Sequence, residues 1–145
     1  MKHRPPFLGI AALCALCVTT AAIAQIAPGD TGAGIQRGMH SVNNSGEVGT
    51  VTLFARAGGA KTLVVIELAG EPNGRHQPAS LHRGKACDDV TPEPAYPLSP
   101  TINGVSRTLV EAPEAKLLSG NYVTVVHAAD NRMDQFVSCG QLYAS

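Results

Sequence analysis

Four histidines carry most of the chemistry open to this chain: His40, His76, His82 and His127. Neutral imidazole is a good ligand for copper and zinc. His82 stands five residues before Cys87, and His127 twelve before Cys139, so a bond between the cysteines would place both histidines in neighbouring parts of the fold. Two such imidazoles make a copper or zinc site; two surface histidines at strand ends are the plainer reading of the same spacing. His76, six residues before His82, is a candidate third ligand and equally a polar residue of the segment Pro72-Asn73-Gly74-Arg75-His76. Met39-His40 joins a thioether to an imidazole, a pair that suits Cu(I).

Other constellations offer less. Glu111 and Glu114 flank Pro113, and a solvated face explains them better than acid–base work. Asp88-Asp89, Asp130 and Asp134 follow no calcium-loop pattern. The glycines of Gly29-Asp30-Thr31-Gly32-Ala33-Gly34 follow no strand and precede no Lys-Ser/Thr, so they do not read as a phosphate loop. No nucleophile-elbow motif surrounds a serine. Asn43-Asn44-Ser45 is a glycosylation sequon, meaningful in a host that glycosylates exported proteins.

The elements that hold these residues follow from composition. The 145 residues are 44% hydrophobic and 15% charged, with eleven basic against eleven acidic side chains and no Trp, a balance that argues against nucleic-acid binding. Residues 1–24 read as a signal peptide: Lys2, His3 and Arg4 precede an apolar run from Phe7 to Ile23, and Ala22-Ile23-Ala24 is a small-x-small cleavage site before Gln25. The competing reading, a membrane anchor, is disfavoured because the run is only ~17 residues long and ends at that site. The mature chain would be periplasmic or secreted, with no membrane attachment after cleavage. Losing Lys2 and Arg4 leaves nine basic residues against eleven acidic ones, and the four cysteines fall to Cys87 and Cys139. An even pair in an oxidising compartment is read first as a disulfide, the alternative being a two-thiol redox or metal centre.

From Gln25 to about Gly38 the chain lacks apolar periodicity, so residues 25–45 read as a flexible N-terminal arm and 46–145 as the folded domain. Val48 to Arg56 alternates, with Val51, Leu53 and Ala55 on one face. Gly58-Gly59 turns this strand into Thr62–Ala69, a hairpin signature. Ala79–His82, Val105–Ala112, Asn121–Ala128 and Gln135–Leu142 are further strands, and Pro113 to Leu118 a short helical turn. Pro92, Pro94, Pro97 and Pro100 predict a long loop over Asp88–Pro100, because proline breaks a central strand. Six to eight antiparallel strands imply an all-β sandwich or barrel.

These residues resemble a known family. Gly70, Gly74-Arg75-His76, Leu81-His82 and Cys87, then Val125-Val126-His127-Ala128-Ala129-Asp130 and Ser138-Cys139-Gly140, stand in the order of the copper/zinc superoxide dismutase motifs. Gly49-Thr50-Val51-Thr52-Leu53 and Gly104 to Val110 also resemble strands of that family, so the resemblance spans about Glu47 to Leu142. It implies a Greek-key β-barrel, a Cys87–Cys139 bridge and an extracytoplasmic setting. His82 and His127 match two of the family's copper ligands. The other member of its His-x-His pair falls on Ser80, no histidine lies between His82 and His127 to bridge copper and zinc, and the anion-guiding arginine falls on Phe136.

Cu(II) prefers four tetragonal nitrogen or oxygen ligands, whereas Cu(I) accepts fewer. The expectation is therefore a superoxide dismutase-like barrel without a zinc site, non-catalytic, binding copper weakly through His82 and His127. Two alternatives stand beside it. One is a copper-only dismutase whose missing ligands come from His76, His40 or a partner chain; the other is a structural or protein-interaction module, acting on a protein partner or as a homodimer.

Overall fold

The computed structural model describes residues 32–143, so the expected signal peptide, its expected Ala24–Gln25 cleavage site and the first part of the expected arm lie outside the described residues. Eight strands form the fold: β1 (Ile35–Ser41), β2 (Val48–Arg56), β3 (Lys61–Ala69), β4 (His76–Ala86), β5 (Asp89–Ile102), β6 (Val105–Val110), β7 (Tyr122–His127) and β8 (Phe136–Gln141). One short helix, α1 (Glu114–Ser119), joins β6 to β7. All pairings are antiparallel, and the strands close into a barrel in the order β1-β2-β3-β6-β5-β4-β7-β8. Three consecutive hairpin-linked strands, β4, β5 and β6, with β3 returning beside β6, make a Greek key.

β2 occupies the residues that its alternation predicts, Val51 and Leu53 being fully buried. It pairs with β3 along its whole length, from Val48↔Ala69 to Arg56↔Lys61. The turn between them, Ala57–Gly59, has all three residues at positive φ, a conformation in which two glycines carry no steric cost. Leu53, Val64, Ile66, Leu81, Leu117 and Leu142 fill the barrel interior. Each contributes roughly 1.5–3 kcal/mol by leaving water.

Two expectations require correction. The arm ends sooner than residue 45, because Ile35–Ser41 is a barrel strand. It presents only one core side chain, Met39, and its place is fixed by backbone pairing with β2 and β8 rather than by apolar periodicity. Gly140 helps to seal that seam: a methyl group there would sit 2.4 Å from the Gly38 carbonyl oxygen.

The second correction concerns the proline-rich loop, which is the fourteen-residue strand β5. Prolines survive there because the strand behaves as an edge over most of its length. β4 pairs with it through four register shifts, and β6 meets it in the ladder at Ile102↔Val105 alone. A missing N–H costs nothing where no ladder bond is due. Side chains close part of the gap: the Thr108 hydroxyl accepts from the Ser99 N–H, and Ser106 Oγ donates to the Ser99 carbonyl.

The disulfide is present between Cys87, at the β4–β5 turn, and Cys139 on β8. It lies on the outer surface of the barrel with Val123 and Val125, partly covered by Val42, Val90 and Phe136.

Candidate functional site

Strand alternation sets the site on the outside of the barrel. In β4, Ala79 and Leu81 point into the core, so Ser80 and His82 point outward. In β7, Tyr122 and Val126 point inward, while Val123 and Val125 belong to the outer cluster, a row that His127 continues. Antiparallel register places Ser80 opposite Val125 and His82 opposite Val123. The two imidazoles thus approach each other along one outer row, over Ser80, with ring centroids 6.1 Å apart. Both histidines are nonetheless only 3% exposed. Irregular β5 and the loop 128–135 between β7 and β8 fold over them.

Each ring is oriented by a backbone carbonyl. His82 Nδ1–H donates to the Thr91 carbonyl at 2.7 Å, and His127 Nδ1–H donates to the Met133 carbonyl, also at 2.7 Å. A carbonyl only accepts, so both protons are fixed on Nδ1 and, in neutral rings, both Nε2 atoms carry lone pairs. Those lone pairs converge on one atom: Ser80 Oγ lies 2.8 Å from His82 Nε2 and 3.3 Å from His127 Nε2. A hydroxyl has one proton and satisfies one of them, which the shorter distance assigns to His82. His127 Nε2 then faces the oxygen acceptor to acceptor.

Protonating His127 would relieve that conflict, but burial holds its pKa below the ordinary histidine value, and the neighbouring His82 acts in the same direction. The hydrogen bond to Met133 opposes this and does not overcome it. Phe136 contributes to the dry surroundings, packing edge-on to His127 at 5.1 Å and tilted to His82 at 6.4 Å. The result is a buried pair of imidazoles that, with both rings neutral, shares one hydroxyl proton and leaves one lone pair over. A Lewis acid that replaces the serine proton would satisfy both nitrogens at once. Rings held through Nδ1 to a carbonyl and free at Nε2 have the arrangement that metal-bound histidines use.

The imidazoles line a cavity of 260 Å³ with Ser80, Met133 and four prolines, Pro78, Pro92, Pro94 and Pro97. Among the described residues no group of three or more His, Cys, Asp and Glu could hold a metal ion. His76 is exposed at the start of β4, six residues and about 20 Å of extended strand from His82. Met39 and His40 are separated by alternation: Met39 is buried in the core, while exposed His40 places Nε2 3.4 Å from the Cys87 sulfur. The Met39-His40 pair therefore cannot hold one ion between them. In the sequence Ser80 stands out only as the residue that replaces one histidine of the His-x-His pair. Its position between two Nε2 atoms depends on the β4–β7 register, and the orienting carbonyls of Thr91 and Met133 leave no trace in side-chain types.

A larger hollow of 540 Å³ lies nearby, lined by Glu47, Gln77, Arg75, Arg132 and Asp134 and bounded by Phe136. Gln77 donates to Glu47 Oε1 at 3.0 Å, and Thr101 donates to Glu71 at 3.3 Å. Glu47 Oε2, Glu71 Oε2 and Gln77 Oε1 are buried with no hydrogen-bond partner among the described residues. Burial raises the pKa of both carboxyls, and Glu47 raises that of Glu71 further.

Fold and site together define an eight-stranded antiparallel barrel that carries a paired-imidazole site on its outer surface. Comparison of the chain with protein-family models, curated proteins and solved structures gives no match.

Proposed function

We propose that this is an exported, superoxide dismutase-like protein that holds one copper ion, as Cu(I), between His82 Nε2 and His127 Nε2 without catalysing dismutation. One observation carries the reading: two buried imidazoles, each fixed through Nδ1, aim two lone pairs at a single hydroxyl proton. The order of the motifs around His82, Cys87, His127 and Cys139 supports the likeness to that family, as does a closed barrel with a Cys87–Cys139 bridge. The bridge also suits export, which a mature N-terminus at Gln25 would establish.

The ligand set argues against turnover. Dismutation cycles copper between two oxidation states, and Cu(II) wants four tetragonal donors where this site supplies two nitrogens. When bound, copper would supply a soft, low-coordinate cation. The chain's own part is to keep each Nδ1–H occupied by the Thr91 and Met133 carbonyls, to aim both Nε2 atoms at one point, and to exclude water with Phe136 and the prolines. Phe136 also stands where an anion-guiding arginine is expected, removing a charge of the kind that raises encounter rates ten- to about a thousandfold.

The test is an anaerobic Cu(I) titration of the purified protein against a chromophoric chelator, beside a His82→Ala/His127→Ala variant. One-to-one binding that the variant lacks supports the reading. Equal binding by both proteins, or none by either, refutes it.

A further inference from the structure

We infer that the thioether of Met133 is the third copper ligand, making the site a two-imidazole, one-sulfur centre selective for Cu(I). The inference rests on the two-histidine reading above and adds to it the residue that decides which oxidation state is bound.

Met133 is tied to the site by its own backbone, since its carbonyl accepts the His127 Nδ1–H bond at 2.7 Å. Met133 also lines the same cavity as Ser80, His82 and His127. The surrounding loop is fixed by hydrogen bonds from Arg132 N–H to the Ala129 carbonyl, Gln135 N–H to the Arg132 carbonyl and Ala128 N–H to the Gln135 carbonyl. The position of the Met133 backbone is thus set by the ring it orients, and only the side chain has to turn. Methionine does that readily, with three rotatable bonds and no branch.

Exposure points the same way. Met133 is 48% exposed, one of four large apolar side chains left outside among the described residues, and it belongs to neither buried hydrophobic cluster. An apolar side chain at the mouth of a buried two-nitrogen site has little packing reason to be there. A thioether does have a chemical one.

The other lining groups remove competitors. The cavity wall contains no Asp or Glu, and Pro92, Pro94 and Pro97 have no N–H to offer a water or anion. A hard cation finds no anionic oxygen in it. Two imidazoles and a thioether, in a mostly apolar wall, match the low coordination number and softness of Cu(I). An exposed sulfur would also be the first donor met by an arriving ion and the last to release it, which suits transfer of copper between proteins.

The experiment combines X-ray absorption at the copper edge with the same Cu(I) competition titration, on the full purified protein and on Met133→Leu. Leucine keeps the bulk and removes the sulfur, and the position is exposed, so the variant folds. The expected result is a sulfur scatterer in the native spectrum that Met133→Leu lacks, with Cu(I) affinity at least tenfold weaker and Zn(II) affinity unchanged. A native spectrum with nitrogen scatterers only, or unchanged Cu(I) affinity in Met133→Leu, overturns the third ligand while leaving the histidine pair standing. Cu(I) binding that survives His82→Ala/His127→Ala overturns the pair and the inference together. If circular dichroism shows that double variant unfolded, His82→Gln takes its place.

Discussion

Replacing Ser80 by alanine separates folding from metal binding, because the two should change in opposite directions. Ser80 is buried, and its hydroxyl is the one donor available to two Nε2 atoms, at 2.8 and 3.3 Å. Without it, both lone pairs face a methyl group. Losing a buried hydrogen bond and leaving an acceptor unpaired costs about 1–2 kcal/mol. For a domain of this size that corresponds to a melting temperature lower by roughly 4–8 °C. A copper ion bound as proposed, however, would have to displace the serine proton from His82, a step worth about 1 kcal/mol net. The variant has no such bond to break, so its Cu(I) affinity should rise about fivefold, or nearer tenfold if the bond is worth 1.4 kcal/mol. Differential scanning fluorimetry of the metal-free protein and anaerobic chelator competition measure the two quantities on one preparation. Weaker Cu(I) binding in Ser80→Ala would refute the reasoning, since the hydroxyl would then be holding the ion rather than competing with it. An unchanged melting temperature would show that the serine satisfies neither ring.

Other perturbations test separate parts of the structure. Burial lowers the His127 pKa, so the unfolded chain takes up a proton first as the pH drops below about 6.5, and the metal-free protein should lose stability there; His127→Gln should flatten that part of a melting-temperature profile. Glu47 has the opposite sign: its raised pKa favours the fold below about pH 4.5 and that advantage is lost as the pH rises through the folded value. Glu47→Gln should therefore raise the melting temperature at pH 7 but not at pH 4, its amide still able to accept from Gln77 and now able to donate. Reduction should destabilise the protein by roughly 4 kcal/mol, the chain-entropy value for the Cys87–Cys139 loop, and free thiols titrating before reduction would contradict the bridge. Mass spectrometry of the exported form should find Gln25 first, and an intact leader would contradict export by signal cleavage.

The parts of the fold legible in the sequence are those where side-chain pattern and backbone need coincide. β2 and β3 alternate cleanly and are joined by a glycine pair, so their pairing follows from residue types alone. β1 could not be read this way: Ile-Gln-Arg-Gly-Met-His-Ser buries one residue, and backbone bonds to strands distant in sequence make it a strand. β5 misled because the rule against proline applies to strands paired on both sides, and pairing is not visible in composition. At the site, His82 and His127 stand out by type, but what makes them a pair does not. The hydroxyl between them comes from register, and their orientation comes from two main-chain carbonyls that any residue could provide.

The thin seam between β5 and β6 has a consequence for association. Where a barrel's ring of backbone bonds is interrupted, the exposed strand can template a strand from another molecule, the first step toward aggregates. Here that stretch contains Pro92, Pro94, Pro97 and Pro100, none of which can donate to an incoming chain. Thr108 and Ser106 already occupy both backbone groups of Ser99. The prolines that disqualified this segment as a strand are thus suited to keeping it from recruiting one. Replacing them with β-branched residues would complete the local pattern and give the protein a site for self-assembly into fibres.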